Sequence, residues 1–452
     1  MSSSIKRRWF GTDGIRGAFG KSPMTPEFIW RCGRATAELF GKGEYIVGRD
    51  TRDSGPILEE ALTQGIQSGG GKVFHAGVLP TAAIASFTAQ RRAPAGIMIS
   101  ASHNPHEDNG IKFFGRDGFK FNDDDEIRLE EKIELIPEPF LSRSQHPLTL
   151  NHDTEVFYIY REMLLKSLPK KFSLQNLRVI IDAANGAAFQ SAPQILLSLG
   201  ARVSMLAEHP DGKNINAACG CLHPQALRRR IKASREAIGI AHDGDADRLL
   251  MVDEHGETLD GDDIMAIIAL DYLKENKLAK NTLVATSMSN RGLDETLKEH
   301  GGKILRTDVG DRNVIETMRR EKLNFGGEPS GHMLFLDYFT TGDGLLSALQ
   351  ALKVMIKTGK PLKELRKVLH RYPQLLESFD VMEKKPIESM PAVVHTLKEC
   401  EKSLGETGRV VLRYSGTENK IRLLLEARDS SALKPLREKI LLSFYKENLI
   451  EE

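Results

Sequence analysis

Three stretches of the chain share one order of local patterns, and this repeat constrains the fold more than any other feature. Residues 47–73, 179–203 and 283–304 each indicate a strand, a polar turn, a helix rich in Leu or Ala, and a Gly-containing turn into a second strand. Strands that alternate with helices are typical of α/β domains. The sequence therefore predicts an α/β fold in which copies of one unit fill about the first 370 residues.

The last part of the chain follows a different pattern. Pro373 and Pro386 indicate a short linker. Apolar residues at 410–412 and 423–425 predict a pair of strands, and residues 433–448 predict a closing helix. We expect a smaller α+β domain at this end of the chain.

The length and composition indicate a globular protein. The chain has 452 residues, of which 40% are hydrophobic, and a chain of this size forms roughly two to four domains. Its 63 basic and 62 acidic residues nearly cancel, which argues against a nucleic acid or membrane partner. No apolar run reaches the length of a spanning helix, and residues 1–8 lack an apolar signal core. We therefore expect a cytoplasmic protein.

The cysteines agree with a reducing compartment, because they are too few and too scattered for a disulfide framework. They are Cys32, Cys219, Cys221 and Cys400. Cys219 and Cys221 with His223 could form a zinc site, but no second ligand pair stands at a recognised spacing. A structural loop is the preferred interpretation of these residues.

Three carboxylates stand at alternate positions in a short loop between residues 237–241 and 249–252, which predict two strands. The acids are Asp243, Asp245 and Asp247. Alternate residues of an extended chain lie about 6.6 Å apart, too far to share one ion, but the small residues Gly244 and Ala246 permit a bend. Crowded carboxylates favour a divalent cation, most simply Mg²⁺ with phosphate oxygens at its open positions.

Two other interpretations of this loop are weaker. A solvated acidic turn does not explain the flanking strands. A calcium loop of the EF-hand type would find Glu254 at its twelfth position, but it needs Gly where this chain has Arg248, and it needs a following helix. The loop therefore predicts a metal site, with Arg248 beside a bound anion.

A possible nucleophile, Ser102, lies between an apolar strand at 96–99 and the turn residues Asn104 and Pro105. Its hydroxyl is a weak nucleophile alone and needs a base, a metal or a phosphate ester. His103 is adjacent to it. Considered alone, such a run is usually only a turn.

Two polar loops in the second half of the chain could bind a sugar phosphate. Residues 413–422 form a hairpin loop whose hydroxyls, backbone amides and two Arg side chains suit a phosphate dianion, although a basic surface turn is the alternative. Residues 326–332 form a glycine-rich loop with Glu328, Ser330 and His332, which suit neighbouring sugar hydroxyls. An ordinary polar loop is the alternative there.

These four runs resemble the motifs of the α-D-phosphohexomutase family, and within it those of the bacterial phosphoglucosamine mutases. The resemblance extends nearly end to end, since residues 11–17, 108–114, 210–216 and 340–344 also match family motifs. It implies three related α/β domains and a smaller C-terminal α+β domain around a central cleft. The implied boundaries are 1–153 with the serine loop, 154–257 with the metal loop, 258–371 with the sugar loop, and 372–452 with the phosphate loop.

The resemblance also assigns roles to residues of this chain. Ser102 would be a phosphoserine, and one Mg²⁺ would be held by that group with Asp243, Asp245 and Asp247. The catalytic residues around the transferring phosphate would be Ser102, Arg16, His103, Lys112 and Arg248, with Lys112 or His103 handling the proton. Glu328, Ser330 and His332 would contact the sugar. The second phosphate would be held by Arg413, Ser415, Gly416, Thr417 and Arg422.

The implied activity is interconversion of glucosamine 6-phosphate and glucosamine 1-phosphate through a phosphoserine enzyme and a hexosamine 1,6-bisphosphate, which also acts as activator. This reaction would supply amino-sugar nucleotide and cell-wall precursor synthesis. The partner would be a small sugar phosphate, with neither nucleic acid nor membrane involved, and the protein would be a monomer or a homodimer.

Three alternatives remain open from the sequence. They are a phosphomannomutase or phosphoglucomutase of the same family, a non-catalytic sugar-phosphate binding protein, and a phosphatase. The preference for glucosamine rests on the resemblance at residues 214–216 and 309–312. Three residues depart from common family patterns: Ala246 stands where Gly is frequent, Pro329 where Gln or Met is common, and Asn419 where Pro is common.

Overall fold

The computed structural model describes residues 7–139, 154–234, 237–415 and 419–450. These described residues form two compact units. The first unit takes its described residues from 7–288 and 300–368, and the second from 289–299 and 369–450. Within the described ranges, we find no helix that is both long enough and apolar enough to span a membrane.

The first part of the chain forms a mixed sheet with helices between its strands. Its elements are β1 (Phe10–Gly11), β2 (Gly14–Ala18), α1 (Pro26–Phe40), β3 (Glu44–Arg49), α2 (Gly55–Ser68), β4 (Lys72–Val78), α3 (Thr81–Arg91), β5 (Ala95–Ile99), β6 (Asp108–Gly115) and α4 (Asp123–Leu135). The strand order is β1-β2-β6-β5-β3-β4. Strand β3 is parallel to both β4 and β5, whereas β6 is antiparallel to β5 and β2.

The next part forms a second sheet with the strand order β11-β10-β9-β7-β8. Its elements are α5 (Glu155–Lys166), β7 (Arg178–Asp182), α6 (Ala188–Ser198), β8 (Arg202–Leu206), α7 (Gln225–Ser234), β9 (Ala237–Ala241), β10 (Leu250–Val252) and β11 (Thr258–Leu259). Strand β7 is parallel to β8 and β9, and β9 turns back through the acidic loop into the antiparallel strand β10.

The third part forms a sheet with the strand order β13-β12-β14-β15. Its elements are α8 (Gly261–Lys274), β12 (Thr282–Thr286), α9 (Gly292–Glu299), β13 (Lys303–Thr307), α10 (Asp311–Glu321), β14 (Phe325–Gly327), β15 (Met333–Phe335), α11 (Gly344–Thr358) and α12 (Leu362–Leu365). Strand β12 is parallel to β13 and β14, and α9 is assigned to the second unit.

The predicted repeat is confirmed, because each of its three stretches gives a parallel strand pair joined through one helix. The connections are β3-α2-β4, β7-α6-β8 and β12-α9-β13. Parallel neighbours cannot be joined by a tight hairpin, so a helical crossover is required. Strands β5, β9 and β12 are buried along their whole length, which explains their uninterrupted apolar composition.

The second unit contains an antiparallel sheet with the strand order β16-β18-β17. Its elements are β16 (Gln374–Asp380), α13 (Pro391–Leu404), β17 (Gly408–Tyr414), β18 (Lys420–Ala427) and α14 (Leu433–Lys446). The predicted hairpin is confirmed as β17 and β18, and the predicted closing helix is confirmed as α14, which ends at Lys446.

The predicted linker around Pro373 and Pro386 is interrupted by strand β16, which lies between the two prolines and pairs with β18 along its whole length. Its residues alternate between half-buried and exposed side chains. An edge strand with one solvated face carries polar residues such as Glu377 and Ser378, so it lacks the apolar run that marks a central strand. Helix α13 was also not predicted, although Val393, Cys400 and Leu404 pack in the core of this unit.

A buried hydrogen bond joins helix α5 to the start of α11 in the first unit. The Tyr160 hydroxyl donates to Asp343 Oδ2 at 2.7 Å, and Asp343 caps α11 by accepting from the Leu346 amide at 2.7 Å. Burial raises the pKa of Asp343 to about 6, so this carboxyl is charged at neutral pH. The charge depends on its donors because water does not reach it.

We expect Tyr160→Phe to lower the free energy of unfolding of this unit by about 2 kcal/mol, since a buried carboxylate loses one donor. The measurement is denaturant unfolding at pH 7.5. Tyr158→Phe is the matched control, because Tyr158 lies on the same helix and is 58% exposed. An equal effect of the two substitutions would contradict the importance of the buried bond.

Candidate active site

The serine loop begins where strand β5 ends, and it holds Ser102 in a buried position. The backbone of Ser102 is left-handed, with φ of +54°. Its hydroxyl donates to Asp243 Oδ2 at 2.6 Å, and its oxygen lies 3.4 Å from His103 Nδ1. The structure therefore brings the predicted nucleophile against the first of the three predicted acids.

The acidic loop follows β9 and is bent enough for its carboxylates to converge. One ligand atom from each of Asp243, Asp245 and Asp247 lies within 4.8 Å of the other two. The bend falls at Ala246, whose φ is +59°, a conformation that costs an L-residue free energy and explains why Gly is frequent there.

Gly244 lets the acidic loop approach the serine loop. A Cβ at this position would lie 2.4 Å from the Ser102 carbonyl oxygen, which no side chain can accommodate. The Ser102 hydroxyl can reach Asp243 because the two backbones are this close. The contact therefore depends on the absence of a side chain at residue 244.

The three aspartates fit a hard divalent cation. Asp245 Oδ1 and Asp247 Oδ1 are buried and accept no hydrogen bond from the described residues. Buried carboxylate oxygens without donors are costly unless a cation takes the place of water. Carboxylate oxygens are the ligands that Mg²⁺ prefers. Among the described residues, this triad is the one cluster of His, Cys, Asp or Glu with metal-ligand spacing.

The buried acids perturb one another's proton affinities. Burial, together with the negative charges of Asp247 and Asp245, raises the pKa of Asp243 to about 8. Burial also opposes ionisation of Asp247, but the positive charges of Lys112 and His332 outweigh it and hold the pKa of Asp247 well below its usual value. Asp247 therefore carries a negative charge more readily than Asp243 does.

Lys112 supplies the main countercharge to these acids. Its buried ammonium lies 2.8 Å from Asp245 Oδ2, 3.1 Å from Asp247 Oδ2 and 3.0 Å from Asp13 Oδ2. Burial alone would lower the pKa of Lys112, but these carboxylates raise it well above its usual value. The structure thus places the predicted residue Lys112 beneath the triad as a permanent cation.

A pocket of about 370 Å³ opens beside the triad. The predicted site residues that line it are Arg16, His103, Asp247, Arg248, Glu328 and His332. Burial and the nearby positive charges of Arg248 and Arg16 lower the pKa of His103 to about 4, so this imidazole is neutral at pH 7. The pocket combines cationic groups with carboxylates, as a charged and hydroxylated ligand requires.

The sugar loop connects β14 to β15 and presents two of its three predicted residues to the pocket. Glu328 Oε1 accepts from the Gly310 amide at 3.1 Å, and burial raises the pKa of this carboxyl. His332 lies 3.6 Å from both Asp247 and Asp311, whose charges outweigh burial and raise its pKa. Ser330 is exposed and does not line the pocket.

The pocket wall contains a pair of ion pairs that the sequence did not predict. The Lys120 ammonium contacts Asp13 on one side and Asp311 on the other. Asp13 and Asp311 line the pocket. Both acids stand in runs that resemble family motifs, but Lys120 follows an unremarkable turn, and only its burial between two acids shows its importance.

The preference for glucosamine rests on residues 214–216 and 309–312, and these two stretches differ in whether they line the pocket. Asn216 donates to the carbonyls of Ser102 and Asn104 and so supports the serine loop. In the other stretch, Val309, Gly310 and Asp311 line the pocket. Arg312 instead pairs with Asp123 and Glu126. Only the second stretch is placed to contact a ligand.

The cysteine loop does not have the spacing of a metal site in the described residues. Cys219 and Cys221 are buried free thiols, and burial raises the pKa of both. The zinc alternative is therefore not supported. A structural loop remains the interpretation of this segment.

The second unit contains the predicted phosphate loop. Arg413 on β17 is paired directly with Arg422 on β18, so the two side chains lie on one face of the sheet. Burial and the charge of Arg422 lower the pKa of Arg413. Lys384, which was not predicted, donates to the Ser415 carbonyl at 2.7 Å. Gly416 and Thr417 lie outside the described residues.

Like charges at facing positions of a sheet repel each other, and a bound anion is one way to offset that repulsion. The geometry of β17 and β18 therefore favours an anion site at this end of the hairpin. A phosphate group has the charge and the acceptor oxygens to bridge two guanidinium groups.

Comparison with known proteins identifies the class to which this fold and site belong. Four models of the phosphoglucomutase/phosphomannomutase family match the chain: α/β/α domain I over residues 7–139, domain II over 159–256, domain III over 260–372 and the C-terminal domain over 376–443. The chain therefore belongs to the phosphoglucomutase/phosphomannomutase family, which confirms the predicted fold class and the prediction of an isomerase.

Single relatives show which members of this family the chain resembles. A phosphoglucosamine mutase from Syntrophotalea carbinolica is 46% identical over 446 residues, which cover 96% of this chain and 97% of that protein. This similarity confirms the predicted resemblance to phosphoglucosamine mutases.

Solved structures share the fold. A phosphoglucomutase/phosphomannomutase family protein from Burkholderia thailandensis has a TM-score of 0.78 at 23% identity, covering 96% of this chain and 97% of that one. The N-acetylphosphoglucosamine mutase of Aspergillus fumigatus, in complex with GlcNAc-6P and magnesium, has a TM-score of 0.69 at 16% identity, covering 99% and 97%.

We expect Asp245→Asn to weaken the binding of Mg²⁺ by about tenfold or more, because the substitution removes a charged ligand. The measurement is calorimetric titration of the purified protein with MgCl₂. Asp182→Asn is the control, since Asp182 is equally buried but lies outside the triad. Identical titrations of wild type and Asp245→Asn would place the metal elsewhere.

Proposed function

We propose that the protein interconverts glucosamine 6-phosphate and glucosamine 1-phosphate through a phosphorylated Ser102. The observation that carries the proposal is the Ser102 hydroxyl, which is 2.6 Å from Asp243 within a triad that fits a divalent cation. The 46% identity to a phosphoglucosamine mutase supports the choice of an amino sugar. The reaction would supply amino-sugar nucleotide and cell-wall precursor synthesis.

The proposed chemistry consists of two opposite phosphoryl transfers. In the first, the bond between Ser102 Oγ and phosphorus breaks while phosphorus bonds to the free hydroxyl oxygen of the sugar phosphate, whose proton passes to a basic group of the site. The product is a hexosamine 1,6-bisphosphate. In the second, the other phosphoryl group returns to Ser102, and the sugar oxygen that it leaves takes up a proton. No phosphate is gained or lost over the cycle.

Asp243, Asp245 and Asp247 are proposed to hold one Mg²⁺, which when bound stabilises negative charge on the transferring phosphoryl group. Asp245 Oδ1 and Asp247 Oδ1, which are buried and accept no hydrogen bond from the described residues, support this assignment. Arg16 and Arg248 line the adjacent pocket and are proposed to bind phosphoryl oxygens.

The proton is proposed to pass through His103 or Lys112. His103 lines the pocket and lies 3.4 Å from the serine oxygen, whereas Lys112 is enclosed by carboxylates beneath it. A general base must lie within hydrogen-bond reach of the proton that it takes. His103 is neutral and could accept that proton, whereas Lys112, which its carboxylates hold as a cation, could only donate one.

The sugar is proposed to bind in the pocket against Glu328 and His332. The Glu328 carboxylate lies on the pocket wall with only Oε1 engaged by a backbone amide in the described structure. A carboxylate can accept from sugar hydroxyls and attract the ammonium of a hexosamine. A role for Ser330 rests on the family resemblance alone, since this residue is exposed here.

The phosphate that is not reacting is proposed to bind Arg413, Ser415, Gly416, Thr417 and Arg422. The facing arginines on β17 and β18 support this proposal. The same group must serve either phosphate of the bisphosphate, because the sugar reverses between the two transfers. Two arginines suit this task, since they recognise the phosphate and not the atom to which it is attached.

We further propose domain boundaries at 1–153, 154–257, 258–371 and 372–452. Each family match falls within one of these ranges to within one residue. A cytoplasmic location is proposed because all four cysteines are free thiols, which are typical of a reducing compartment.

The experiment that tests this function is an assay of glucosamine 6-phosphate and glucosamine 1-phosphate interconversion with Mg²⁺ and a trace of hexose 1,6-bisphosphate. Glucose and mannose phosphates are assayed in parallel. A preference for the amino sugar is expected. A preference for the neutral sugars would retain the mechanism and change the substrate, and no turnover with any of these sugars would refute the proposal.

In that assay we expect Ser102→Ala to lower kcat by about 10⁴-fold or more, because the phosphoryl group then has no carrier. Ser86→Ala is the matched control, since the Ser86 hydroxyl is buried on α3 without a hydrogen-bond partner in the described structure. Substantial turnover by Ser102→Ala would exclude Ser102 as the carrier.

We expect Arg413→Gln to raise KM for the sugar phosphate by about tenfold to a hundredfold with a smaller change in kcat, because a phosphate that does not react is bound alike in the ground and transition states. Steady-state kinetics give both values. Arg437→Gln, which removes a surface ion pair with Glu377 in the same unit, is the control. An unchanged KM would move the phosphate site away from Arg413.

A further inference from the structure

A buried arginine lies directly beneath the serine loop. The Arg52 side chain has no solvent exposure, and all five of its N–H groups are hydrogen bonded. A buried guanidinium is tolerated only when its hydrogen bonds and charge are satisfied. Arg52 is thus an integral part of the buried structure.

Four of these five N–H groups are directed to the backbone of residues 102–108. Nη2 donates to the Ser102 carbonyl at 3.0 Å and to the Asn104 carbonyl at 2.9 Å, whereas Nη1 donates to the carbonyls of Pro105 and Asp108, the latter at 2.9 Å. The remaining donor, Nε, is 2.9 Å from Asp50 Oδ2. The Arg52 side chain therefore donates hydrogen bonds to four backbone carbonyls of a single loop.

Asn216 repeats part of this arrangement from a distant position in the chain. Its side-chain amide donates to the same two carbonyls, at 2.9 Å to Ser102 and 3.1 Å to Asn104. Both lone pairs of the Ser102 carbonyl are consequently used by side chains. The peptide that follows Ser102 cannot rotate without breaking both bonds.

The amide on the other side of Ser102 is fixed as well. Asp50 Oδ2 accepts from the Ser100 hydroxyl at 2.6 Å, and Ser100 Oγ accepts from the Ser102 amide at 2.9 Å. Arg52 holds Asp50 in place through Nε. The N–H and the C=O of Ser102 therefore both depend on the Asp50–Arg52 pair.

Ser102 needs this support because its left-handed backbone is unfavourable for a residue with a side chain. We propose that Arg52 is a positioning residue that holds Ser102 in this conformation and thereby sets the rate of phosphoryl transfer. Arg52 is not among the residues that line the pocket, so it acts through the loop and does not touch the sugar phosphate.

This inference rests on the proposed function, because it concerns the step that Ser102 carries out. In that reaction Ser102 Oγ must return to one point twice in each cycle, first to give and then to receive a phosphoryl group. Displacement of a reacting atom by about 1 Å costs about a hundredfold in rate. The rigidity of the loop is therefore as important to turnover as the groups that bind phosphate.

The test compares Arg52→Lys with Arg49→Lys. A lysine keeps the charge at residue 52, but its single nitrogen cannot span four carbonyls. Arg49 is the matched control, because it lies on the same segment and pairs with buried Glu59 at 3.0 Å but makes no hydrogen bond to residues 102–108. Melting temperatures of both variants measure the cost to stability.

For Arg52→Lys we expect kcat to fall about a hundredfold with KM within about threefold of wild type, whereas Arg49→Lys keeps kcat within about threefold. In a single turnover of the phosphorylated enzyme, quenched and followed by intact mass spectrometry, loss of phosphate from Ser102 to the sugar should slow by the same factor. A purely structural role would change the melting temperature without this kinetic difference.

Each contrary outcome has a definite meaning. Equal kcat values for Arg52→Lys and Arg49→Lys, with an active wild type, would overturn the inference and leave the proposed function intact. A rise in KM that accounts for the whole loss would overturn it by making Arg52 a binding residue. An inactive wild type would overturn the proposed function and this inference with it.

Asn216→Ala keeps the inference testable if Arg52→Lys does not fold. It removes the donor that shares two carbonyls with Arg52 and leaves the buried ion pair in place. We expect kcat to fall about tenfold at unchanged KM. A wild-type kcat in this variant would overturn the inference.

Discussion

The site of the first unit depends on balancing buried negative charge. Asp13, Asp243, Asp245, Asp247 and Asp311 are brought together, all but Asp13 are buried, and neighbouring cationic side chains offset their charge. Lys112 contacts three of these acids, and Lys120 joins two of them. Without these cations the acids would have to take up protons or separate, because unpaired buried charges are not tolerated.

This arrangement leaves part of the negative charge of the triad without a contacting cation, which supports the proposed Mg²⁺ site. Lys112 satisfies Oδ2 of Asp245 and of Asp247 but not the second oxygen of either residue. The described structure thus pairs part of this charge and leaves Asp245 Oδ1 buried without a donor, where a divalent ion could bind. The same arrangement places the Ser102 hydroxyl against Asp243 of the triad, where a bound cation would stabilise the proposed phosphoryl group.

The fold brings these groups together because they follow the ends of buried strands. The serine loop follows β5, the acidic loop follows β9, and the sugar loop follows β14. Loops at the carboxyl ends of strands are common positions for ligand sites in α/β proteins. Their precision depends on backbone contacts such as Gly244 against Ser102, and on Arg52, which links the serine loop to Asp50.

Much of the architecture was predictable because it depends on local patterns. The three strand–helix–strand repeats, the hairpin of the second unit and its last helix are each marked by apolar periodicity and turn residues. Strand β16 was not predictable in this way, since an edge strand with a polar face resembles a loop. The choice of Ser102 and the three aspartates was also possible from sequence, because nucleophile and acids stand in short runs between apolar strands.

The sequence by itself determined the strand–helix–strand repeats and the short runs proposed to carry chemistry, since these depend on neighbouring residues. Only the tertiary structure decided which distant residues support them. Arg52 lies 50 positions from Ser102, and Lys120 lies 191 positions from Asp311. Nothing in the local pattern of a lone basic residue shows which carbonyl or carboxylate it will meet. These contacts form only when the helices and strands pack, because a charged side chain must then either pair with other groups or stay exposed to solvent.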